Sequence, residues 1–165
     1  MSGKVYQILY CSRNNMQGTE AEIRLQLAGI LRASRRNNAR VGVTGALFYN
    51  SVFFAQVLEG AFVEVQRIFE RLQMDPRHCD LVVLQSGYRS SRDFGDWSMA
   101  YAGTSADFQL PFHTPDAVPA HGTENGGRVL SFLRDVVVKQ ENWALPERRS
   151  VVRPIASAAE PALVA

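Results

Sequence analysis

The chain has 165 residues, 46% hydrophobic and 21% charged, a balance that lets a folded body bury a core without metal or disulfide staples. Its formal net charge of +2 is spread among interleaved basic and acidic residues, so it lacks the footprint of a nucleic-acid binder, and Arg35-Arg36 and Arg148-Arg149 read as solvated pairs. Two cysteines and three histidines without ligand spacing argue against a disulfide framework or a metal centre, and no apolar run approaches the roughly 20 residues that cross a bilayer. A reducing cytoplasmic setting is the default expectation, since Met1-Ser2-Gly3-Lys4 leads straight into a strand pattern with no secretory leader.

Residues 5 to 12 alternate as a strand, with Tyr6, Ile8 and Tyr10 on one face and Gln7, Leu9 and Cys11 on the other. Both faces are apolar enough for a central position. After the loop 13 to 18, Thr19 and Glu22 form a capping box that starts a helix. Ile23, Leu27, Ile30, Leu31 and Ser34 make its stripe, and it runs out near Arg36-Asn37-Asn38. Val43 to Tyr49 and Val52 to Leu58 predict a hairpin turning at Asn50-Ser51. A second amphipathic helix carries Phe62, Val65, Ile68, Phe69 and Leu72 before Asp75-Pro76 stops it. Asp80 to Tyr88 reads as a fourth strand and Trp97 to Ala102 as a fifth.

The predicted fold is α+β, a ferredoxin-like βαββαββ sandwich with both helices on one sheet face and a C-terminal helical extension. Residues 1–103 form the main domain, 104–125 a Pro- and Gly-marked connector, 126–144 the helical region and 145–165 a poorly ordered tail. Within that region, Val129, Leu133, Val136 and Val137 share a stripe, widened by Leu130 and Phe132, that needs cover. The bare sheet face is the expected cover. The helix is then either a relay and assembly surface or a fixed lid.

Several residues could carry chemistry. Tyr10 and Gln56 sit on strands among apolar companions, so both polar groups point into the helix-covered core and need partners. One reading is a structural bond to each other or to nearby backbone; the other is a functional pair. Asn38 either terminates its helix or serves a ligand. Gly45 marks either a bulge or the close approach of a backbone or a flat ligand. Arg77 and His78 read as a solvated turn or as a positive cluster near an anion. Trp97 and Met99, two apart, are expected on one strand face, either as core filling or as part of a site.

The joint order of Tyr10 with Ser12, Asn38-Ala39-Arg40, Thr44 to Tyr49, Gln56-Val57-Leu58-Glu59-Gly60, Asp75-Pro76-Arg77-His78 and Trp97-Ser98-Met99 resembles the BLUF family of flavin-binding blue-light sensors, over about residues 4 to 103. The resemblance implies a flavin, FAD in the usual case with FMN as the alternative, held between the two helices. It implies contacts from Tyr10, Ile30, Asn38, Gln56, Arg77 and His78. It also implies that Tyr10 gives an electron and a proton to the excited flavin, that Gln56 rearranges by rotation or tautomerisation, and that Trp97 and Met99 pass the change on. Which of those two lies inside in the dark stays open. The implied protein is a switch and not an enzyme, signalling through a homo-oligomer and a downstream protein, with no nucleic-acid or membrane partner.

Two rival readings use the same topology. One is an acylphosphatase-type enzyme gripping phosphate through Arg13 and Asn14 or Asn15, although the glycine-rich anion loop is missing. The other is a flavin-free interaction domain.

Overall fold

The computed structural model describes residues 3–102 and 123–141. The connector and tail expected at 104–125 and 145–165 lie largely outside the described residues. Eight elements follow one another: β1 (Val5–Asn14), α1 (Glu20–Arg40), β2 (Thr44–Tyr49), β3 (Phe53–Gly60), α2 (Phe62–Gln73), β4 (His78–Arg89), β5 (Ala100–Ala102) and α3 (Thr123–Glu141). The strands form one sheet in the order β4-β1-β3-β2-β5. All pairings are antiparallel except β2 with β5. This is the ferredoxin-like α+β sandwich expected from the sequence.

The two faces of β1 and β3 explain the layering. Even-numbered Ile8, Tyr10, Phe54 and Leu58 pack with Leu27 and Leu31 of α1 and Val65 and Phe69 of α2. Odd-numbered Leu9, Cys11, Ala55 and Val57 pack with Val129, Leu133, Val136 and Val137 of α3. A strand whose alternate residues are all apolar must be covered on both faces, and α3 supplies the second layer. Its stripe is spent on its own sheet: Val129 and Leu133 are both 0% exposed.

Local chemistry sets the boundaries. The Thr19 Oγ1 accepts from the Glu22 backbone N–H at 3.3 Å, and the Thr19 N–H donates to the Glu22 carboxylate at 2.6 Å, the reciprocal bonding of a capping box. In the β2–β3 turn, Asn50 Oδ1 accepts from the N–H groups of Val52 and Phe53 at 3.1 and 2.8 Å, and Ser51 takes φ 75°.

Several boundaries differ from expectation: β1 runs on through Asn14 and β4 starts at His78 rather than Asp80. Helix α1 does not stop at Asn38 but continues to Arg40, with the Asn38 carbonyl accepting from Val41 and Val43 N–H at 3.2 and 2.9 Å. Helix α3 begins at Thr123, ahead of its apolar stripe. Strand β5 begins at Ala100 rather than Trp97, because the chain is still turning there: Trp97 N–H donates to the Phe94 carbonyl at 3.1 Å.

Candidate functional site

Antiparallel pairing sets Tyr10 of β1 directly opposite Gln56 of β3. Facing residues of such a pair project to the same side with Cβ atoms only about 5 Å apart. Both are buried, and the Tyr10 O–H donates to Gln56 Oε1. The other end of the amide, Nε2, donates to Met99 Sδ at 3.7 Å. A phenol, a carboxamide and a thioether thus form one hydrogen-bonded line inside the α1/α2-covered core. Beside it, the β1–β4 register slips between Leu9 and Tyr10 and again between Cys11 and Arg13, an irregularity common where a sheet re-aims a side chain.

Burial drives the Tyr10 phenol well above its ordinary value of 10.0, with smaller contributions from Cys11 and Asp75. It is therefore neutral at any physiological pH and holds a proton to give. Phe69 meets its ring edge-on, with centroids 5.6 Å apart.

A narrow cleft, partly open to solvent, lies over this pair. Ile30 and Ser34 line it from α1, Leu72, Asp75, Arg77 and His78 from the end of α2 and the start of β4, and Leu47, Phe54, Tyr10 and Gln56 from the sheet. The His78 Nε2 lies 2.5 Å from the Leu72 carbonyl and its Nδ1 2.8 Å from Ser12 Oγ. A carbonyl can only accept, so Nε2 carries a hydrogen and donates it to Leu72. Arg77 grips Asp75 through Nε at 2.9 and 3.1 Å and Nη2 at 2.5 Å. Those bonds hold the Asp75 carboxyl below its ordinary value and the Arg77 guanidinium above its own.

Asn38 is buried but does not line that cleft; its Nδ2 donates to the Ser98 carbonyl at 2.9 Å. It belongs to a clamp on three consecutive carbonyls. Gly45 N–H donates to the Trp97 oxygen at 3.0 Å, Asn38 to Ser98, and Arg35 Nε to Met99 at 3.1 Å. This corrects the reading of Arg35 as a purely solvated residue. It also corrects the shared face of Trp97 and Met99. Met99 enters the core beneath α1 and α2, whereas Trp97 packs with Phe94 against the α3-side core. The period-of-two rule fails because these residues precede the strand.

The close approach expected at Gly45 is to backbone. A Cβ there would sit 2.0 Å from the Val57 carbonyl oxygen.

Sequence reasoning missed a second buried network on the opposite face. Glu59, 0% exposed, accepts from Gln7 Nε2 at 3.0 Å, Thr44 Oγ1 at 3.2 Å, and the N–H groups of Asp93 and Phe94 at 2.7 and 2.9 Å. Gln7 also donates to Asp93 at 2.7 Å, and Asp93 pairs with Arg134 of α3. The available signal was a carboxylate and an amide at inward positions of strands that are otherwise apolar. The residues of the phosphatase rival are engaged elsewhere. Arg13 pairs with Asp80 at 3.2 Å, Asn14 donates to the Ser51 carbonyl at 2.9 Å, and Asn15 to that of Pro76 at 3.0 Å.

A two-sided sheet with a buried phenol–amide pair under an inter-helix cleft defines a small ligand-holding module. Residues 5–100 match the family described as "BLUF: Sensors of blue-light using FAD". The photoactivated adenylate cyclase subunit beta of Euglena longa is 40% identical over 73 residues, 44% of this chain and 8% of that protein. The blue light- and temperature-regulated antirepressor BluF of Escherichia coli strain K12 is 33% identical over 117 residues, 66% of this chain and 28% of that protein. Among solved structures, the dark state of the BLUF protein BlrB superposes with a TM-score of 0.67 at 27% identity, covering 82% of this chain and 98% of that one.

The chain belongs to the BLUF family. That family consists of flavin-using sensors of blue light, and residues 5–100 are the part of the chain that carries the match. Since the match spans only 8% of the cyclase's length, the cyclase activity named there does not come with it.

The cleft fits a flavin on the chemistry of its donor set. Its walls are the apolar Ile30, Leu47, Phe54 and Leu72, and its polar groups are amide, phenol, imidazole, hydroxyl and the Arg77 guanidinium with its Asp75 carboxylate partner. A flat ring with both donor and acceptor edges needs this mixture.

Proposed function

We propose that Tyr10 and Gln56 are the light-driven pair, and that Met99 reads the orientation of the Gln56 amide. Ile30, Arg77 and His78 complete the flavin site, and Asn38 joins it on flavin binding by turning its amide from the Ser98 carbonyl. The observation that carries this is the line Tyr10 O–H to Gln56 to Met99 Sδ. A bound flavin supplies absorption of blue light and, once excited, a transient acceptor for one electron and one proton.

The protein's part follows from its own geometry. Tyr10 is neutral and buried, so losing an electron leaves a strongly acidic phenol whose proton lies on its hydrogen bond to the Gln56 carboxamide. An amide is nearly the same shape at both ends, so Gln56 can turn about its terminal bond without changing the volume it fills. Turned over, it faces Tyr10 with N–H and Met99 with a carbonyl oxygen. Oxygen against sulfur has no hydrogen between them, so the contact changes from attractive to repulsive. Met99 is displaced while its carbonyl is held by Arg35. A few kcal/mol of differential bonding is enough to bias a two-state segment.

FAD is the proposed flavin. The proposed output is a change in contact with a second copy or a downstream protein, in a cytoplasmic setting. Residues 1–103 act as the sensor and α3 as the cover through which the Asp93–Arg134 pair links the loop before β5 to the surface. No helix among the described residues is long and apolar enough to cross a membrane. The test is Gln56→Leu, which retains the apolar volume and removes both ends of the amide. It is expected to bind flavin and show no red shift on illumination. A wild-type shift refutes the role of Gln56.

A further inference from the structure

Among the described residues Glu59 is the only buried charged side chain. It follows Gln56 on β3 and points to the opposite sheet face, set against Gln7 of β1. Four hydrogen bonds reach its carboxylate, two at each oxygen. Oε1 accepts from Gln7 Nε2 at 3.0 Å and from the Asp93 N–H at 2.7 Å. Oε2 accepts from Thr44 Oγ1 at 3.2 Å and from the Phe94 N–H at 2.9 Å. Each oxygen therefore ties one side chain of the sheet to one backbone N–H of the segment leading to β5. A carboxylate has acceptor room for all four bonds, and its buried charge needs them. Arg92 fastens the same point: Nη1 donates to Thr44 Oγ1 and the Glu59 carbonyl, and Nη2 to the Gly42 carbonyl, each at 2.8 Å.

From this anchor the chain makes one turn, closed by the Trp97 N–H on the Phe94 carbonyl at 3.1 Å, and arrives at Met99. Phe94 is 1% exposed and packs in the α3-side core. Beyond the turn, Gly45 N–H holds the Trp97 carbonyl at 3.0 Å and Arg35 Nε the Met99 carbonyl at 3.1 Å. The sulfur that meets Gln56 Nε2 at 3.7 Å is thus located from β3, the strand that also carries Gln56. The two β3 side chains stand about 10 Å apart along that strand.

We infer that Glu59 is a positioning residue of the light response: by holding the Asp93–Phe94 end of this segment it fixes where Met99 rests against the Gln56 amide, and so sets how fast the light-adapted state returns to the dark one. The inference rests on the reading of Met99 as the group that senses Gln56. With the segment tied at this end, a displaced Met99 has no second place to settle, and return is fast. With a tie lost, Met99 withdraws further from the turned amide, the repulsion between oxygen and sulfur is relieved, and the light-adapted state lasts longer. Glu59→Gln loses a tie whichever way its amide lies. Each carboxylate oxygen receives one of the two backbone N–H groups, and an NH2 can receive neither.

Return in darkness after a blue pulse is timed at the red edge of the flavin band, on the full chain, with a thermal melt of each variant alongside. E59Q and R92Q are expected to keep the light-induced shift and to return about 3- to 10-fold more slowly, a fraction of what a charge-assisted hydrogen bond can carry. V129A takes buried volume from the α3-side core without touching any of these bonds; it should lower the melt and leave the return unchanged. In a Met99→Leu background, Glu59→Gln should alter the return by less than about twofold, as a residue acting through Met99 must. Wild-type return in E59Q, or in R92Q should E59Q not fold, overturns the inference alone, as does equal slowing in V129A. A Met99→Leu chain that returns like the wild type, with Glu59→Gln still slowing it, overturns the Met99 reading and the inference with it. Absence of any light-induced shift in the wild type overturns the sensor reading itself.

Discussion

Replacing Tyr10 by Phe separates its structural work from its photochemical work. The ring stays, so its edge-on packing with Phe69 and its place in the core are kept. What goes is the hydroxyl that donates to Gln56 Oε1. Gln56 is only 4% exposed, so water does not readily replace the donor. Leaving one buried acceptor unmatched costs roughly 1–3 kcal/mol. At about 2–4 °C per kcal/mol for a chain of this size, thermal unfolding should drop by about 2–12 °C, too little to prevent folding near room temperature. The flavin should still bind, since the cleft walls are unchanged. Phe has no ionisable hydrogen and is a far poorer electron donor, so the lasting red-shifted state should vanish. Light-minus-dark absorption on the purified variant reads the second effect, and a calorimetric or circular-dichroism melt the first. A wild-type photocycle in Tyr10→Phe refutes the hydrogen-donor role, and an unchanged melt refutes the claim that Gln56 depends on it.

Gly45→Ala should be far more damaging than its size suggests. Its Cβ would lie 2.0 Å from the paired-strand carbonyl of Val57, an overpacking cost of about 3 kcal/mol or more, whereas Gly29→Ala, in open space on α1, should stabilise by about 0.5–1 kcal/mol; denaturant melts of the two compare them. Deleting residues 126–165 strips Val129, Leu130, Leu133, Val136 and Val137 from the sheet. At about 1.5–3 kcal/mol each that loss rivals a whole domain's stability, so the truncated chain should aggregate on size-exclusion chromatography instead of remaining a monodisperse, light-responsive sensor. The pH profile of stability should fall at both ends. Asp75 is lowered from 3.8 by its Arg77 bonds, so its contribution is full above that value and lost as pH falls through the lowered one. Tyr10 is raised from 10.0, so its contribution is full below that value and lost as pH climbs past it. Melts of Asp75→Asn and Tyr10→Phe against pH should flatten the acid and alkaline arms respectively.

Much of this was legible in the residues because it is local or periodic. The Thr19/Glu22 capping box needs four consecutive residues, and the two-faced apolar alternation of β1 announces cover on both sides. The same alternation put Tyr10 and Gln56 on inward faces, although only the strand register shows them opposite one another. What stayed hidden depends on contacts distant in sequence. Trp97 and Met99 read as strand neighbours because their spacing is two. The backbone there is instead bent by the Phe94–Trp97 turn and clamped by Gly45, Asn38 and Arg35. Asn38 looked like a helix end, since Asn often is one, yet it lies inside α1 with its amide committed to Ser98. The Glu59–Gln7–Asp93 network draws on three separate segments, and nothing in the period of any one of them reveals the other two.

The central claim is that light acts through a flavin held against Tyr10 and Gln56, and the most direct measurement is the difference spectrum of the purified full chain before and after blue illumination. A yellow protein whose flavin bands move slightly to the red and return in darkness is the expected result. A flavin-bound protein whose bands do not move, or a colourless one after refolding with excess flavin, contradicts it.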